Sequence, residues 1–492
     1  MINILMKTLA ELITSIAVKE IVGDTSISVT GITADSRKVA PGALFVAVKG
    51  VNVDGHSFID KAIAAGAAAV VAQQLPENLT EGVTYVITPN SAVALGNLAS
   101  EWWDNPSRKI KLVGVTGTNG KTTIATLIYE MARLMGYKAG LLSTVVNYVD
   151  TEAVASTHTT PDPLELNSLL HRMVEAGCQY AAMEVSSHAA HQHRIAGLTF
   201  AGGVFTNLTR DHLDYHKTFD AYLAAKKSFF DSLPAEAFAL TNIDDKNGEI
   251  MLQNCSAAKK SYSLRRPADF VGRIIEQRLD GTLMQFNRLE VETMFVGRFN
   301  AYNLTALFGT SVLLGWNTEK ILLNMSRLVP VAGRFQTVRS PRMGYTAIVD
   351  YAHTPDAVVN VINTIRDIVG NTASIITVVG AGGNRDKGKR PIMAHEAAKL
   401  SDRVILTSDN PRDENPREII RDMEAGLDTP QLRRRTLTVT DRAEAIRVAT
   451  VLAHRGDVIL IAGKGHEDYQ EINGVRHHFN DKEELENIFR EE

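Results

Sequence analysis

The segment "GTNGKTT", Gly117 to Thr123, holds residue types that suit phosphate chemistry. Backbone N–H groups in a glycine-rich turn, followed by a helix N-terminus, form a cradle for anions. Gly117, Thr118, Asn119 and Gly120 supply that turn. Lys121 would reach the β- and γ-phosphates of a nucleotide, and Thr122, with Thr123 beside it, would place a hydroxyl on Mg2+. The common spacing GxxxxGK[ST] is not met, because Val115 stands at the first glycine position.

A phosphate loop of this kind calls for magnesium, and hard cations take oxygen ligands. Glu184, just past the apolar run in "YAAMEVSSH", is the carboxylate we expect to serve. His188, His191 and His193 invite a zinc reading but lack an organised set of partners. "NLTRDHLDYH", 207–216, is dense in Asp and His; zinc is again possible, but a polar loop at a strand end is the simpler reading, with His212 near the metal. In "AYLAAKKSFFDSL", Lys226 and Lys227 read on their own as two solvated lysines. Asn303 and Arg334 are unremarkable alone.

These residues need elements to hold them. Ile110 to Val115 reads as a strand, and Ile124, Leu127, Ile128, Met131, Leu134 and Met135 recur at helical spacing. Strand, glycine loop and helix open an α/β nucleotide-binding domain. After "GRFQTV", 333–338, four apolar strands alternate with helices, which predicts a mostly parallel sheet. Each strand ends in chemically capable residues: "DYAH", "GNRDKG", "DNPR" and "GKGHE". Ligands of open α/β sheets bind at the carboxyl ends of strands, so the four tails should converge on one rim. The first hundred residues predict a smaller α/β domain with a strand in "GALFVAVKG" and a helix running into a strand in "FIDKAIAAGAAAVVA". "EWWDNPSRK" is a Pro-containing break suited to a linker.

At 492 residues the chain has room for roughly three domains. A net charge of −4 provides no bulk field toward nucleic acid or anionic membrane, so an anionic ligand must be held locally. Leu9, Leu12, Ile13 and Ile16 fall on one face of an expected amphipathic helix, and no run is long enough to span a bilayer. Two cysteines, Cys178 and Cys255, make neither a disulfide framework nor a zinc site, which suggests a reduced, cytoplasmic protein.

Taken in order, "GVTGTNGKTT", "AMEVSSH", "FTNLTRDHLDYH", "FNAYNLTA", "GRF", "VDYAHTPD", "GGNRDKGKR", "DNPR" and "AGKGHEDYQ" resemble the motifs of the Mur ligase family. The resemblance spans nearly the whole chain, is strong from about 110 to 470, and includes the shorter glycine loop. It implies three domains: 1–108 binding a UDP-substrate, a central ATPase domain over 109–334, and a Rossmann-like domain over 335–492 that takes the incoming amino acid. The implied activity is ATP-dependent addition of meso-2,6-diaminopimelate to the D-Glu γ-carboxylate of UDP-N-acetylmuramoyl-L-alanyl-D-glutamate, in peptidoglycan precursor synthesis. The carboxylate would first attack the γ-phosphate of ATP, and the amine would then attack the acyl phosphate. The implied cofactors are ATP and Mg2+. No nucleic acid or membrane insertion is implied, and a monomer is expected.

Carried over by position, Thr122, Glu184 and His212 resemble magnesium-site residues, and Lys226 resembles the family's carbamylated lysine. A carbamate is an anionic oxygen ligand, where an ammonium would be repelled by the metal. Asn303 and Arg334 resemble ATP contacts, with Asp350 and His353 at the matching edge of the third domain. His158, Thr159, Thr160, Ser186, Gln192 and Arg194 resemble contacts to the UDP-muramyl dipeptide, as do Ser36 in "ADSRK" and Val51, Asn52 and Val53. In "DNPR", Arg412 can meet the second carboxylate of diaminopimelate with a bidentate fork, aimed by Pro411. Arg385, Asp409, Asn410, Gly463 and Glu467 would frame the rest, while Asp413 to Pro416 read as a capped turn before a helix. The alternatives are a lysine-adding ligase, a more distant relative such as folylpolyglutamate synthetase, and a P-loop ATPase acting as a switch. The switch has no use for four polar strand tails.

Overall fold

The structure, a computed structural model, describes residues 6–50, 53–156, 158–209, 213–331 and 333–491. Two compact units form: Met1–Phe270 with Ala306–Ile321, and Val271–Thr305 with Leu322–Glu492.

Among its described residues the first unit holds two main sheets, beside the short pair Lys7–Thr8 and Ser28–Val29. The smaller has the order Glu20–Val22, Thr84–Ile87, Ala69–Ala72, Leu44–Val46, Ile32–Thr33 and is parallel except for its first strand. Its inner strands Leu44–Val46 and Ala69–Ala72 are apolar at every position because both faces are covered. Leu44, Val46, Ala69 and Val71 pack with Leu9, Leu98 and Trp102 on one side. Phe45, Val70, Ala72 and Tyr85 pack with Ile59 and Ala62 on the other. The expected N-terminal helix is shorter than its apolar spacing suggests and covers only Leu9–Ile13. Thr8 and Glu11 close a capping box at its start. The Thr14 and Ser15 hydroxyls then donate to the Glu11 and Leu12 carbonyls, competing with continuation of the helix. Ile16 still packs on the same core. "EWWDNPSRK" is an ordered connection: Asp104 and Asn105 take left-handed φ of 56° and 52°, and the Ser107 hydroxyl accepts from Thr199 N.

In the larger sheet, Lys111–Thr116 lies between Tyr180–Glu184 and Gly202–Phe205, parallel to both. Ala139–Leu142 flanks one side, Phe238–Asn242 and Ala258–Ser263 the other. The helix Lys121–Leu134 follows the central strand and buries Ile124, Leu127, Ile128 and Met131, the stripe the sequence predicts. Cys178 and Cys255 are separate, buried free thiols, each pushed up by burial.

The second unit is built on a six-stranded sheet ordered Gln336–Arg339, Thr346–Asp350, Val458–Ala462, Ile375–Ala381, Arg403–Ser408, Thr436–Thr438. Only the first pairing is antiparallel. The four expected strands are its centre, and the two half-exposed edge strands are additions. Ile348, Val379, Leu406 and Leu460 face one helical layer, and Val349, Val378, Ile405 and Ile461 face the other. Among the described residues no helix is long and apolar enough to cross a membrane.

Candidate active site

The glycine loop follows the central strand and is fastened to the neighbouring strand end. Thr118 N donates to Asn207 O at 2.8 Å, and Asn119 N to Asn207 Oδ1 at 3.0 Å. Thr206 Oγ1 donates to Asn119 O at 2.6 Å. Gly117 has φ +148°, and a Cβ there would stand 1.9 Å from Thr206 Oγ1, so only glycine fits. Lys121 folds back, its Nζ 2.9 Å from Gly117 O and 2.8 Å from Thr118 O. Thr122 and Thr123 are buried in the first helical turn.

Lys226 joins this loop from the helix Phe219–Asp231, which starts at the Thr218 cap. Tyr222, Ala225, Phe229 and Phe230 form the buried stripe of that helix, and Lys226 lies within it, 1% exposed. Its Nζ donates to Gly117 O at 2.7 Å and sits 4.8 Å from the Tyr222 ring centre. Lys227, about 100° around the helix, instead pairs with Asp231 at 2.6 Å. Two solvated lysines is therefore wrong for Lys226: position in the helix, not residue type, separates the pair.

Glu184 ends the strand beside the central one, with Val115 as its register partner, and is buried. Its Oε1 accepts from Thr144 N at 2.8 Å, and its carbonyl from Thr160 Oγ1 at 2.9 Å. The expected substrate contacts continue from there. Thr160 Oγ1 lies 3.4 Å from Ser186 Oγ, Arg194 donates to Thr160 O at 2.9 Å, and the Arg194 guanidinium grips Gln192 Oε1 at 2.7 and 3.0 Å. Thr144 Oγ1 donates to Thr159 Oγ1 at 3.1 Å. The His158 carbonyl accepts from Ser156 Oγ. Thr144, Asn207, Tyr215 and Tyr222 belong to this assembly and escaped the sequence reading, since each is an ordinary residue until the fold brings it in. The histidines near Tyr215 form an aromatic cluster: His188 packs on it, tilted, at 4.1 Å and His191 meets it edge-on at 5.5 Å. Among the described residues no three His, Cys, Asp or Glu side chains gather as a metal would require.

At the smaller sheet, Ser36 and Val53 lie beyond the carboxyl ends of adjacent parallel strands. Ser36 is buried next to the Asp35–Arg37 pair, whose guanidinium hydrogen bonds hold the Asp35 carboxyl down at about 2. Val53 is exposed, and its carbonyl accepts from Gly50 N. His56 was not foreseen. It accepts from Gln73 N at Nε2, which leaves the proton on Nδ1, 2.7 Å from Asp54. Val51, Asn52 and His212 lie outside the described residues.

In the second unit the four strand tails do converge. Gly463 N donates to Asp350 O, and Gly383 N to Asn410 O. Asn410 donates to Glu467 Oε2 at 2.7 Å, and buried Lys464 reaches both Asn410 Oδ1 and Glu467 Oε2 at 3.1 Å. Burial raises the Glu467 carboxyl, and the Asp409 charge adds to it, partly offset by Lys464. Arg412 takes a left-handed φ of 52°, and its Nη1 donates to Gly383 O at 2.7 Å. Pro411 is buried behind it, and Arg385 is exposed on the facing loop.

"GRF" docks on "GKGHE" by backbone contact: a Cβ on Gly333 would stand 2.0 Å from His466 N. Arg334 then lies over Tyr351 at 4.7 Å, and Tyr351 packs on His466 at 5.0 Å. Asp350 accepts from Phe335 N at 2.7 Å; burial raises its carboxyl, with Arg334 opposing. His353 Nδ1 lies 2.9 Å from Tyr351 O. Asn303 is buried, donating to Asn300 Oδ1. Arg334 Nε and His466 Nδ1 are buried with no hydrogen-bond partner, a sign that something else meets this face.

The Thr122 hydroxyl and the buried Glu184 carboxylate are oxygen donors of the kind a hard divalent cation takes. They do not suit zinc, which favours Cys and His.

A phosphate loop at the centre of one parallel sheet, with a second sheet whose strand tails carry carboxylates and a guanidinium, defines a nucleotide-using α/β enzyme frame. Three family models match along the chain: Mur ligase family, catalytic domain, over 28–103; Mur ligase middle domain over 115–310; and Mur ligase, glutamate ligase domain, over 333–465. The chain is 60% identical over 98% of its length to the UDP-N-acetylmuramoyl-L-alanyl-D-glutamate–2,6-diaminopimelate ligase of Parabacteroides distasonis, covering 99% of that protein. It is 58% identical to the ligase of the same name from Bacteroides fragilis, with 98% and 99% covered. A solved structure of a ligase of that name matches with TM-score 0.72 and 32% identity over 99% of both chains. MurF ligase from Thermotoga maritima, solved in complex with ADP, shares the fold at 20% identity and TM-score 0.59, over 94% of this chain and 97% of its own. The protein belongs to the Mur ligase family.

Proposed function

We propose that the protein is the ATP-dependent ligase that joins meso-2,6-diaminopimelate to the D-Glu γ-carboxylate of UDP-N-acetylmuramoyl-L-alanyl-D-glutamate. The observation that carries this reading is the rim of the second unit. There Arg412 stands on the same strand-end cluster as Asp409 and Glu467. A guanidinium and two carboxylates suit an amino acid with a carboxylate and an ammonium at each end. Lysine has no second carboxylate for the arginine, so Arg412 favours diaminopimelate over it. Relatives at 60% and 59% identity carry the name of that ligase.

The loop Gly117–Thr123 cradles the ATP phosphates, with Lys121 leaving its carbonyls for the phosphate oxygens. Asn303, Arg334 and Asp350 serve the nucleotide. Thr159, Thr160, Ser186, Gln192 and Arg194, with His158, hold the muramyl dipeptide, and Ser36 and Val51 to Val53 the UDP end. The γ-carboxylate displaces ADP from the γ-phosphorus, giving an acyl phosphate; the amine then adds to the carbonyl and phosphate leaves. Both steps bring anions together, so positioning and neutralisation dominate. Mg2+ held by Thr122, Glu184, His212 and carbamylated Lys226 would neutralise phosphate charge. Lys226 is buried next to Lys121; loss of a proton from its ammonium, then addition of the free amine to CO2 with release of a second proton, gives a carbamate and replaces a cation by an anion there. The domains are 1–108, 109–334 and 335–492, and the protein works as a cytoplasmic monomer.

Steady-state phosphate release tests the reading. It should require both the UDP-muramyl dipeptide and diaminopimelate, with lysine a poor replacement. Steady hydrolysis without an amino acid would indicate an ATPase switch, and preference for lysine would indicate the lysine-adding ligase.

A further inference from the structure

The second half of "DNPRDENPRE" reads in sequence as a turn before a helix, and Asn415 does cap the helix Pro416–Glu424. Asp413 and Glu414 have other partners. The Glu414 carboxylate is met by Arg390 through two hydrogen bonds, Nη2 to Oε1 at 2.8 Å and Nη1 to Oε2 at 3.0 Å. Asn384 N also donates to Glu414 Oε1 at 2.5 Å, and Lys387 lies 3.4 Å from Oε2. Asn384 Nδ2 donates to Asp413 Oδ2 at 2.7 Å. Arg390 is fully buried and also reaches Gly382 O at 3.1 Å and Asp422 at 2.8 Å. The Arg390 guanidinium, helped by Asn384 N, holds the Glu414 carboxyl down at about 2.

These bonds tie two loops together. One is 382–388, which carries Arg385; the other is 409–415, which carries Arg412. Arg390 is buried and Glu414 only partly so, and an ion pair with a buried partner adds little net stability over an apolar pair of the same volume, because desolvation offsets the attraction. Its particular use is fixed geometry: a bidentate fork sets distance and plane together. We infer that Glu414 and Arg390 are positioning residues for amino-acid selection. They lock the loop bearing Arg385 against the loop bearing Arg412, so that two cations are spaced to fit the carboxylates of one dicarboxylic diamino acid. This rests on the proposed function above.

The test uses the full-length enzyme in steady state, with diaminopimelate, lysine and ATP each varied. Glu414→Gln keeps the shape and removes the charge. The expected result is a rise in KM for diaminopimelate on the order of tenfold. KM for ATP should stay within about twofold of wild type, and the preference for diaminopimelate over lysine should fall in parallel. Asn384→Ala removes one strut from an exposed residue and should give the same pattern, smaller. Arg390→Lys, which keeps the charge but loses the two-bond fork to Glu414, decides the matter if Glu414→Gln fails to fold. Unchanged KM for diaminopimelate, or an equal rise in both KM values, overturns the lock. A wild-type enzyme that does not use diaminopimelate overturns the functional reading itself, so the two failures are distinct.

Discussion

Lys121 and Lys226 donate to the same carbonyl oxygen, that of Gly117, at 2.9 and 2.7 Å. Lys226 arrives from 109 residues away in sequence. Two ammonium groups on one carbonyl repel each other, and phosphate binding or loss of the Lys226 charge relieves that.

The carbamate proposed at Lys226 predicts an activity that depends on carbon dioxide. Removing dissolved CO2 from the wild-type enzyme should lower turnover reversibly. Lys226→Ala should lose roughly a hundredfold or more in kcat, with no recovery on adding carbonate. Wild-type activity indifferent to CO2 would count against the carbamate.

Arg412→Ala removes the guanidinium that we assign to the distal carboxylate. KM for diaminopimelate should rise about ten- to a hundredfold, the worth of one charge-assisted contact. KM for ATP should change little. Equal changes in both would show that Arg412 supports the fold of the rim and does not contact the amino acid.

His466 sets a pH dependence of stability. Burial, with Arg334 second, lowers its imidazole from 6.5 to about 4. The unfolded chain therefore binds the proton first as pH falls. Stability is fully present above about 6.5 and declines between there and about 4, by at most on the order of 3 kcal/mol. His466→Asn should flatten that part of the stability curve in denaturation measured from pH 7 to pH 4. A curve of unchanged slope would exclude His466 as its source.

Arg442 and Asp481 form a fully buried pair at 2.7 and 2.8 Å beneath the rim. Arg442 also donates to Ala462 O at 3.1 Å, at the end of the strand that leads into "GKGHE". Arg442→Met leaves Asp481 buried without its partner and should cost about 3–5 kcal/mol. The double change Arg442→Met with Asp481→Leu should recover most of that by chemical denaturation. If the double variant is no better than the single one, the charge pair is not the cause.

The glycine loop, Glu184 at a strand end and the four polar tails were legible because their signals are local. An apolar run, then glycine and lysine, or then Asp-Asn-Pro-Arg, reads within about ten residues. The N-terminal helix was overestimated because apolar spacing ignores the hydroxyls of Thr14 and Ser15, which bond back to the helix carbonyls. The edge strands Gln336–Arg339 and Thr436–Thr438 were missed because each is short and half-exposed, with little apolar pattern.

Sequence by itself determined the α/β class, the glycine loop between strand and helix and the polar strand ends, since all follow from periodicity and residue type over short windows. Tertiary structure decided which of two adjacent lysines enters the loop, and that Glu414 serves a neighbouring loop rather than only a helix start. Both depend on which side of an element faces which neighbour. That is set by packing between segments far apart in the chain, and no short window contains it.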